Sequence, residues 1–247
     1  MRIVIVNPNT TRSMTQKAVT AASAVAAPGT VIVPATSRMG PASIEGHYDG
    51  ALAVPGLLAE IRQAEADGAD AAVIACFDDT GLDAARSLAG IPVVGLCESA
   101  LVTASFLAQR FSVVTTLERS RVLLENLSRH YGMGQRATVR AADIPVLELE
   151  DKASGAIGKL KAQIELALRD DDAEAIVLGC AGMADLAHAL QMEYGVPVID
   201  GVSAAVKQAE ALVVQRLTTS KRGSYASPLP KSYSGAFATF APAVKTG

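Results

Sequence analysis

The sequence has no tryptophan, few tyrosines and phenylalanines, and no apolar run near the ~18 residues that a membrane-spanning helix needs. Lysine and arginine form no cluster, and 22 of them against 25 acidic residues give the 247-residue chain a net charge of −3. We therefore expect no nucleic-acid partner. The apolar run at residues 2–6 is too short for a signal peptide. These absences predict a cytoplasmic protein that binds neither nucleic acid nor membrane.

Cysteine and histidine are also scarce. Three cysteines are too few and too far apart for a disulfide framework or a zinc cluster, and the three histidines lack the spacing of metal ligands. The glycines form neither common nucleotide-binding pattern, GxGxxG or GxxxxGK[ST]. We expect no metal, no cofactor, and free thiols at Cys76, Cys97 and Cys180.

The sequence is rich in aliphatic residues, and hydrophobic residues make up 50% of the chain. Short β-branched runs alternate with Ala- and Leu-rich stretches of helical period, which is typical of parallel sheets covered by helices. The predicted strands are residues 2–6, 30–34, 71–75, 92–96, 111–115, 138–141, 175–179 and 197–199. The predicted helices are residues 13–26, 54–66, 82–89, 98–108, 118–131, 155–169, 183–193 and 202–217.

An internal repeat is the most informative feature. The run AVIAC at residues 72–76 matches IVLGC at residues 176–180 in residue type, 104 positions later. Each run precedes a predicted helix and then a strand that begins with proline, at Pro92 and at Pro197. The repeat predicts an α/β fold of two pseudo-symmetric lobes. Each lobe is a parallel sheet of about four strands covered by helices, and the active site lies in the cleft between them.

The repeat also predicts the domain boundaries. We place the first lobe at residues 1–98 plus about 202–219, because the last helix could return to cap it, and the second lobe at residues 99–201. Residues 220–247 are rich in Ser, Gly, Ala and Pro, and they predict an extended tail that is either disordered or packed on a neighbouring subunit.

Cys76 and Cys180 each follow an apolar strand directly, where ligands bind in open parallel sheets. Backbone N–H groups at a helix start favour the thiolate, so we expect each pKa to fall from about 8.5 toward neutrality. Either cysteine alone fits a small core hydrophobe, but a pair at matching positions indicates a function. Cys97 has no counterpart in the second copy, which favours a structural role.

Two like acid/base groups on opposite faces of a small carbon acid describe a racemase or epimerase, since each serves as base in one direction and as acid in the other. The enolate oxygen needs hydrogen-bond donors. Candidates are the N–H groups after each cysteine and the hydroxyls of Thr115 and Thr116. Asp78 and Asp79 are further candidate substrate-binding residues, although carboxylates raise the pKa of a nearby thiol. Asp79 also suits the N-cap of helix 82–89.

Four short segments carry a further signal: NPNT at residues 7–10, ACFDD at 75–79, GCAGM at 179–183 and PVIDG at 197–201. As a set they resemble the hydantoin racemases of the aspartate/glutamate racemase superfamily, over about residues 1–230. The resemblance implies cofactor-independent racemisation at C5 of a hydantoin by a homo-oligomer, with Cys76 and Cys180 as the acid/base pair. The substrate-binding residues that it implies are Asn9, Met39, Gly40, Phe77, Thr115, Thr116, Ala181 and Gly182.

The departures from related racemases bear on the substrate. Glutamate racemases have Asn-Thr after the first cysteine and Thr-His after the second, where this chain has Phe77-Asp78 and Ala181-Gly182. The absence of those polar side chains fits a substrate that is a neutral ring. It does not separate alkyl- or aryl-substituted hydantoins from allantoin, a ureido-substituted hydantoin whose racemases are very similar. Phe77, Met39 and Ile44 favour an apolar substituent.

Other interpretations stay open beside the hydantoin and allantoin racemases. Some decarboxylases and isomerases of the same superfamily use a single acid/base cysteine, so two matched thiols count against them. A two-lobe small-molecule binding protein would make the cysteines incidental. A thiol–disulfide oxidoreductase is disfavoured because the chain lacks CxxC.

Overall fold

A computed structural model of the chain describes residues 1–150 and 154–242, so the last five residues of the predicted tail lie outside the described residues. The strands are β1 Arg2–Asn7, β2 Val31–Thr36, β3 Ala71–Ile74, β4 Val93–Gly95, β5 Phe111–Thr115, β6 Ala137–Ala141, β7 Ala175–Leu178 and β8 Val198–Asp200. The α-helices are α1 Arg12–Val25, α2 His47–Ala66, α3 Leu82–Leu88, α4 Leu96–Leu107, α5 Glu118–His130, α6 Ala156–Asp170, α7 Ala187–Tyr194 and α8 Gly201–Val214. Short 3₁₀ helices cover Val146–Glu150, Ala181–Leu186, Gly223–Tyr225 and Gly235–Phe240.

The strands form two parallel sheets of four strands, in the orders β2-β1-β3-β4 and β6-β5-β7-β8. The second order repeats the first with every strand number raised by four. The register repeats too, since Ala72 pairs with Val93 in the first sheet and Ile176 pairs with Val198 in the second. The α/β class and the two four-stranded parallel sheets predicted from the sequence repeat are therefore confirmed.

The two sheets share one hydrophobic core. The strands β3 and β7 are buried along their whole length, as expected where helices cover both faces of a parallel sheet. One cluster joins Ile5 and Val73 of the first sheet to Val113 and Val177 of the second, through side chains of α1, α4 and α8. Each fully buried side chain of this size stabilises the fold by about 1.5–3 kcal/mol relative to its exposed state, so the halves are held together by burial.

The last helix, α8, lies between the two halves. It packs against α1 and β3, which precede residue 98, and also against α4 and β8. The boundaries drawn between the two lobes stay a prediction, because the shared core runs across them.

Two helices differ from the predicted ones. Helix α2 begins at His47, seven residues before the predicted start, and it contains Pro55. Proline lacks an N–H donor and suits the first turn of a helix, but here it lies in the third turn. The predicted helix 183–193 is divided into the 3₁₀ helix Ala181–Leu186 and α7.

The start of the tail packs against α3 of the same chain. The Lys221 ammonium donates to the carbonyl oxygen of Ser87 at 3.2 Å, and the Tyr225 hydroxyl donates to Asp83 at 2.9 Å. Later residues are largely exposed, and contact with a neighbouring subunit stays a prediction. No helix in the described part of the chain is both long and apolar enough to cross a membrane.

The shared core gives a stability prediction. Leu101 of α4 is fully buried in it, whereas Phe106 of the same helix is 80% exposed. We expect Leu101→Ala to lower the free energy of unfolding by about 2–5 kcal/mol. The control Phe106→Ala should change it by less than about 0.5 kcal/mol. Urea denaturation followed by circular dichroism measures both, and equal effects would contradict a core that runs through α4.

Candidate active site

A small cavity lies where strands of both sheets end. Its volume is about 40 Å³, which is enough for about one to three water molecules. Cys76 reaches it from the end of β3 and Cys180 from the end of β7, so the repeated positions of the two sheets meet at one cavity. The lining residues are Asn9, Met14, Ile44, Ala75, Cys76, Phe77, Asp78, Thr115, Thr116, Ser120, Val146, Gly179, Cys180 and Ala181.

The loop after β1 is held by a network of buried amides. The Asn7 side-chain amide donates to the Asn9 side-chain oxygen at 2.8 Å and to the Thr15 hydroxyl at 3.1 Å. The backbone N–H of Asn9 donates to the side-chain oxygen of Asn7 at 3.2 Å. The backbone N–H of Thr11 donates to the side-chain oxygen of Asn9 at 2.9 Å. Asn9 is therefore fixed beside the cavity by short polar side chains that suit a turn.

The wall that carries Cys180 depends on a close approach of two strand ends. The Thr115 hydroxyl donates to the Gly179 carbonyl oxygen at 3.1 Å. A Cβ at Gly179 would lie 2.9 Å from the Cα and Cβ atoms of Thr115, too close without moving β5 from β7. Glycine thus allows the strands to meet directly before Cys180.

The two thiols have different electrostatic surroundings. Burial, and after it the negative charge of Asp78, raise the pKa of Cys76 to about 12, against hydrogen bonds from the Thr80 hydroxyl and the Asp78 N–H. Burial likewise raises the pKa of Cys180 to about 11, opposed by the N–H of Gly182 and by the positive charge of Lys17. Both thiols are protonated at neutral pH, and Cys180 is the easier one to ionise.

These pKa values correct the expectation that helix starts hold the thiols near neutrality. Helix α3 has its N-cap at Gly81, so its free N–H groups are several residues beyond Cys76. Cys180 does cap a helix, but a 3₁₀ helix of six residues. In both cases desolvation of the anion outweighs the backbone donors.

Asp79 caps a different helix from the one predicted. Its carboxylate accepts from the N–H groups of Cys97 and Glu98 at the start of α4, at 3.0 and 2.9 Å. It also accepts from the Tyr131 hydroxyl at 2.8 Å. Burial raises the pKa of Asp79 to about 7 against these hydrogen bonds. The residue therefore fastens the loop after Cys76 to α4 and to the end of α5.

The 3₁₀ helix Val146–Glu150 covers the cavity from the second half and is anchored to the first. The Val146 N–H donates to the Glu45 carboxylate at 3.3 Å. The Lys17 ammonium donates to the carbonyl oxygens of Leu149 and Gly182, both at 3.1 Å. Ile44 and Val146 both line the small cavity, so this contact between the two halves forms part of its wall.

Most of the predicted site residues lie together. Of these, Asn9, Cys76, Phe77, Asp78, Thr115, Thr116, Cys180 and Ala181 line the cavity. Gly182 adjoins it, since a Cβ there would lie 3.7 Å from the sulfur of Cys180.

Three predicted residues stand apart from this cavity. Asp79 is turned away to cap α4. Met39 is half-exposed, and its carbonyl oxygen accepts from the Ser37 hydroxyl at 2.6 Å. A Cβ at Gly40 would contact the backbone of α2 near Ala53 at 3.5 Å. The loop that carries Met39 and Gly40 is thus held against α2 and does not line the described cavity.

The sequence analysis missed Met14, Ser120 and Val146 in the lining. Ser120 follows β5 by five residues, so the rule that sites form at strand ends could have found it. Met14 accepts from the Asn9 side-chain amide at 3.4 Å, which no spacing signals. Among residues 1–150 and 154–242, no group of three or more His, Cys, Asp or Glu is placed to hold a metal ion.

Comparison with known proteins identifies the family. Residues 3–209 match the family described as Asp/Glu/Hydantoin racemase. The chain belongs to this family. It is 51% identical to a hydantoin racemase of Rhizobium meliloti, over 95% of this chain and 98% of that one. It is 47% identical to a hydantoin racemase of Pseudomonas sp. (strain NS671), over 97% of each.

A solved structure agrees with this assignment. The structure of an allantoin racemase from Klebsiella pneumoniae superimposes with a TM-score of 0.95 and 48% identity, over 98% of this chain and 99% of that one. The resemblance to racemases found in the sequence is confirmed, and the protein is a racemase.

The raised thiol pKa values give a prediction for alkylation. We expect iodoacetamide to react slowly at pH 7, and the rate to rise about tenfold per pH unit toward pH 10, because only the thiolate is nucleophilic. Cys180 should react before Cys76, since its pKa is about 11 rather than about 12. Mass spectrometry of the cysteine-containing peptides measures both rates. A plateau below pH 8 would contradict the raised values.

Proposed function

We propose that the protein interconverts the D and L enantiomers of 5-monosubstituted hydantoins by proton transfer between C5 and the thiols of Cys76 and Cys180. The observation that carries the proposal is that these thiols, from equivalent positions of two repeated sheets, line one cavity. The names of the Rhizobium and Pseudomonas relatives favour hydantoins as the substrate class.

The proposed reaction needs one thiolate and one thiol. The thiolate on one side takes the C5 proton, so a C–H bond breaks and an S–H bond forms, and the electron pair moves toward the C4 oxygen. The thiol on the other side then gives its proton to the opposite face of C5. Each sulfur acts as base for one enantiomer and as acid for the other.

Different hydrogen-bond donors stabilise the cysteine thiolates and the enolate of the substrate. The N–H groups of Asp78 and Gly182 donate to the sulfurs, so they stabilise the thiolates rather than the enolate. The hydroxyl proton of Thr115 is given to Gly179. Thr116 and Ser120, which also line the cavity, carry the hydroxyls that remain available to the enolate oxygen of a bound ring.

Allantoin is the second candidate substrate. It shares the hydantoin ring and the acidic C5–H, and it carries a ureido group with further N–H donors. The name of the Klebsiella relative favours it, and so does the Asp78 carboxylate in the cavity lining, since a carboxylate accepts hydrogen bonds from such donors.

Serine variants test the mechanism. We expect Cys76→Ser or Cys180→Ser to lower kcat for racemisation by at least about a thousandfold, because a hydroxyl is a far weaker acid than a thiol and gives no useful anion near pH 8. Each variant should retain exchange of C5 hydrogen with deuterium oxide from one enantiomer, since one base remains. Polarimetry and proton NMR measure the two rates.

The matched control is Cys97, which is buried in the shared core. Cys97→Ala should racemise at a rate near that of the wild type. Near-wild-type turnover by either serine variant would remove that cysteine from the mechanism. Turnover without any deuterium at C5 would refute proton transfer altogether.

A comparison of substrates tests the specificity. We expect kcat/KM for single enantiomers of 5-isopropylhydantoin to exceed that for allantoin, because Phe77 and Ile44 place apolar surface in the cavity lining. Loss of optical rotation under identical conditions measures both. A preference for allantoin of tenfold or more would establish the second candidate instead.

A further inference from the structure

The carboxylate of Asp78 has no part in the proposed proton transfer, although it lies at the site. It lines the cavity with both thiols. Its negative charge acts on both sulfurs, because it raises the pKa of Cys76 and that of Cys180. The carboxylate is therefore placed to act on the substrate.

The carboxylate of the neighbouring Asp79 has its hydrogen-bonding capacity filled by protein groups. Asp79 accepts three hydrogen bonds, from two backbone N–H groups and a tyrosine hydroxyl. In contrast, none of the residues in the described ranges donates a hydrogen bond to the Asp78 carboxylate. His47 lies close enough for its imidazolium form to favour the ionised carboxylate. Hydrogen-bond donors for this half-buried group must come from water or from a ligand.

The position of Asp78 relates it to the C5 substituent. In the proposed mechanism the two sulfurs flank C5, so a charge that acts on both sulfurs also lies close to the groups attached to C5. Burial raises the pKa of Asp78 to about 6, so the side chain is mostly ionised at pH 8. A negative charge on the C5 substituent of a bound hydantoin would therefore lie close to the Asp78 carboxylate. Like charges at short distance in a largely desolvated cavity repel strongly.

We propose that Asp78 sets the charge selectivity of the racemase: its carboxylate accepts hydrogen bonds from N–H groups on or beside C5 and excludes hydantoins whose C5 substituent is anionic. This inference rests on the proposed function, since it assumes that a hydantoin ring lies between the thiols. The chemical class admitted is a neutral substituent, either apolar or with amide or ureido N–H groups. The class excluded is a carboxyalkyl substituent.

Two substrates of equal size separate charge from shape. 5-(2-Carbamoylethyl)hydantoin and 5-(2-carboxyethyl)hydantoin differ only in an amide against a carboxylate. At pH 8 we expect the wild type to prefer the amide by at least about tenfold in kcat/KM. Asp78→Asn removes the charge at constant size and should reduce that preference at least about tenfold. The ratio of two substrates on one enzyme cancels any change in thiol ionisation that the substitution causes.

The matched control is Asp185→Asn. Asp185 is an exposed carboxylate in the 3₁₀ helix that follows Cys180, and it lies outside the cavity lining. This variant should keep the wild-type ratio of amide to acid. A fall as large as that in Asp78→Asn would show a general effect of net charge and would overturn the assignment to Asp78.

5-Isopropylhydantoin, which is neutral and has no donor in its substituent, separates failure of this inference from failure of the proposed function. If the wild type racemises none of the three hydantoins, the function and the inference both fail. If it racemises 5-isopropylhydantoin but shows no preference for the amide, or if Asp78→Asn keeps the wild-type preference, only the role of Asp78 fails.

If Asp78→Asn abolishes turnover, binding measurements still test the charge selectivity. Calorimetry gives the dissociation constants of the amide and the acid for Cys76→Ser, with and without Asp78→Asn. The same tenfold change in their ratio supports the proposal, and an unchanged ratio overturns it.

Discussion

The packing of two like sheets around one core is the constraint on which the site depends. Strands β3 and β7 occupy the same place in their sheets, and parallel strands end at the same edge of a sheet. Because side chains of α1, α4 and α8 join both sheets in one hydrophobic cluster, those two edges cannot separate freely. The thiols of Cys76 and Cys180 meet at one cavity for this reason.

The same packing determines the chemistry available to the thiols. In a cavity of about 40 Å³, the cost of desolvating the thiolate exceeds what the hydrogen-bond donors near each sulfur return, and Lys17 does not reverse this at Cys180. A high pKa also makes a thiolate strongly basic. A carbon acid needs a strong base, so burial limits the amount of thiolate while it increases the basicity of each thiolate that forms.

The fold could be predicted from local sequence because its causes are local. Apolar runs such as residues 175–178 fix buried strands, and the matched runs before Cys76 and Cys180 revealed the duplication. The failures have tertiary causes. The pKa of Cys76 depends on burial by distant segments, and the choice of α4 as the helix capped by Asp79 depends on how the loop after β3 folds against α4 and Tyr131. The cover at Val146–Glu150 carried no periodic pattern, and its anchors, Glu45 and Lys17, lie more than a hundred residues away.

One of the differences between the duplicated halves lies directly after the matched strands, where Ala75 follows β3 and Gly179 follows β7. The close approach of Thr115 leaves no room for a methyl group at Gly179, so the two walls of the cavity are not mirror images. Enantiomers in water nevertheless have identical free energies, which obliges kcat/KM to be the same in both directions. If the unequal walls bind one enantiomer more tightly and so lower its KM, its kcat must be lower in the same proportion. Evolution of this enzyme can therefore favour the binding of one enantiomer, but it cannot change the equal amounts of the two at equilibrium.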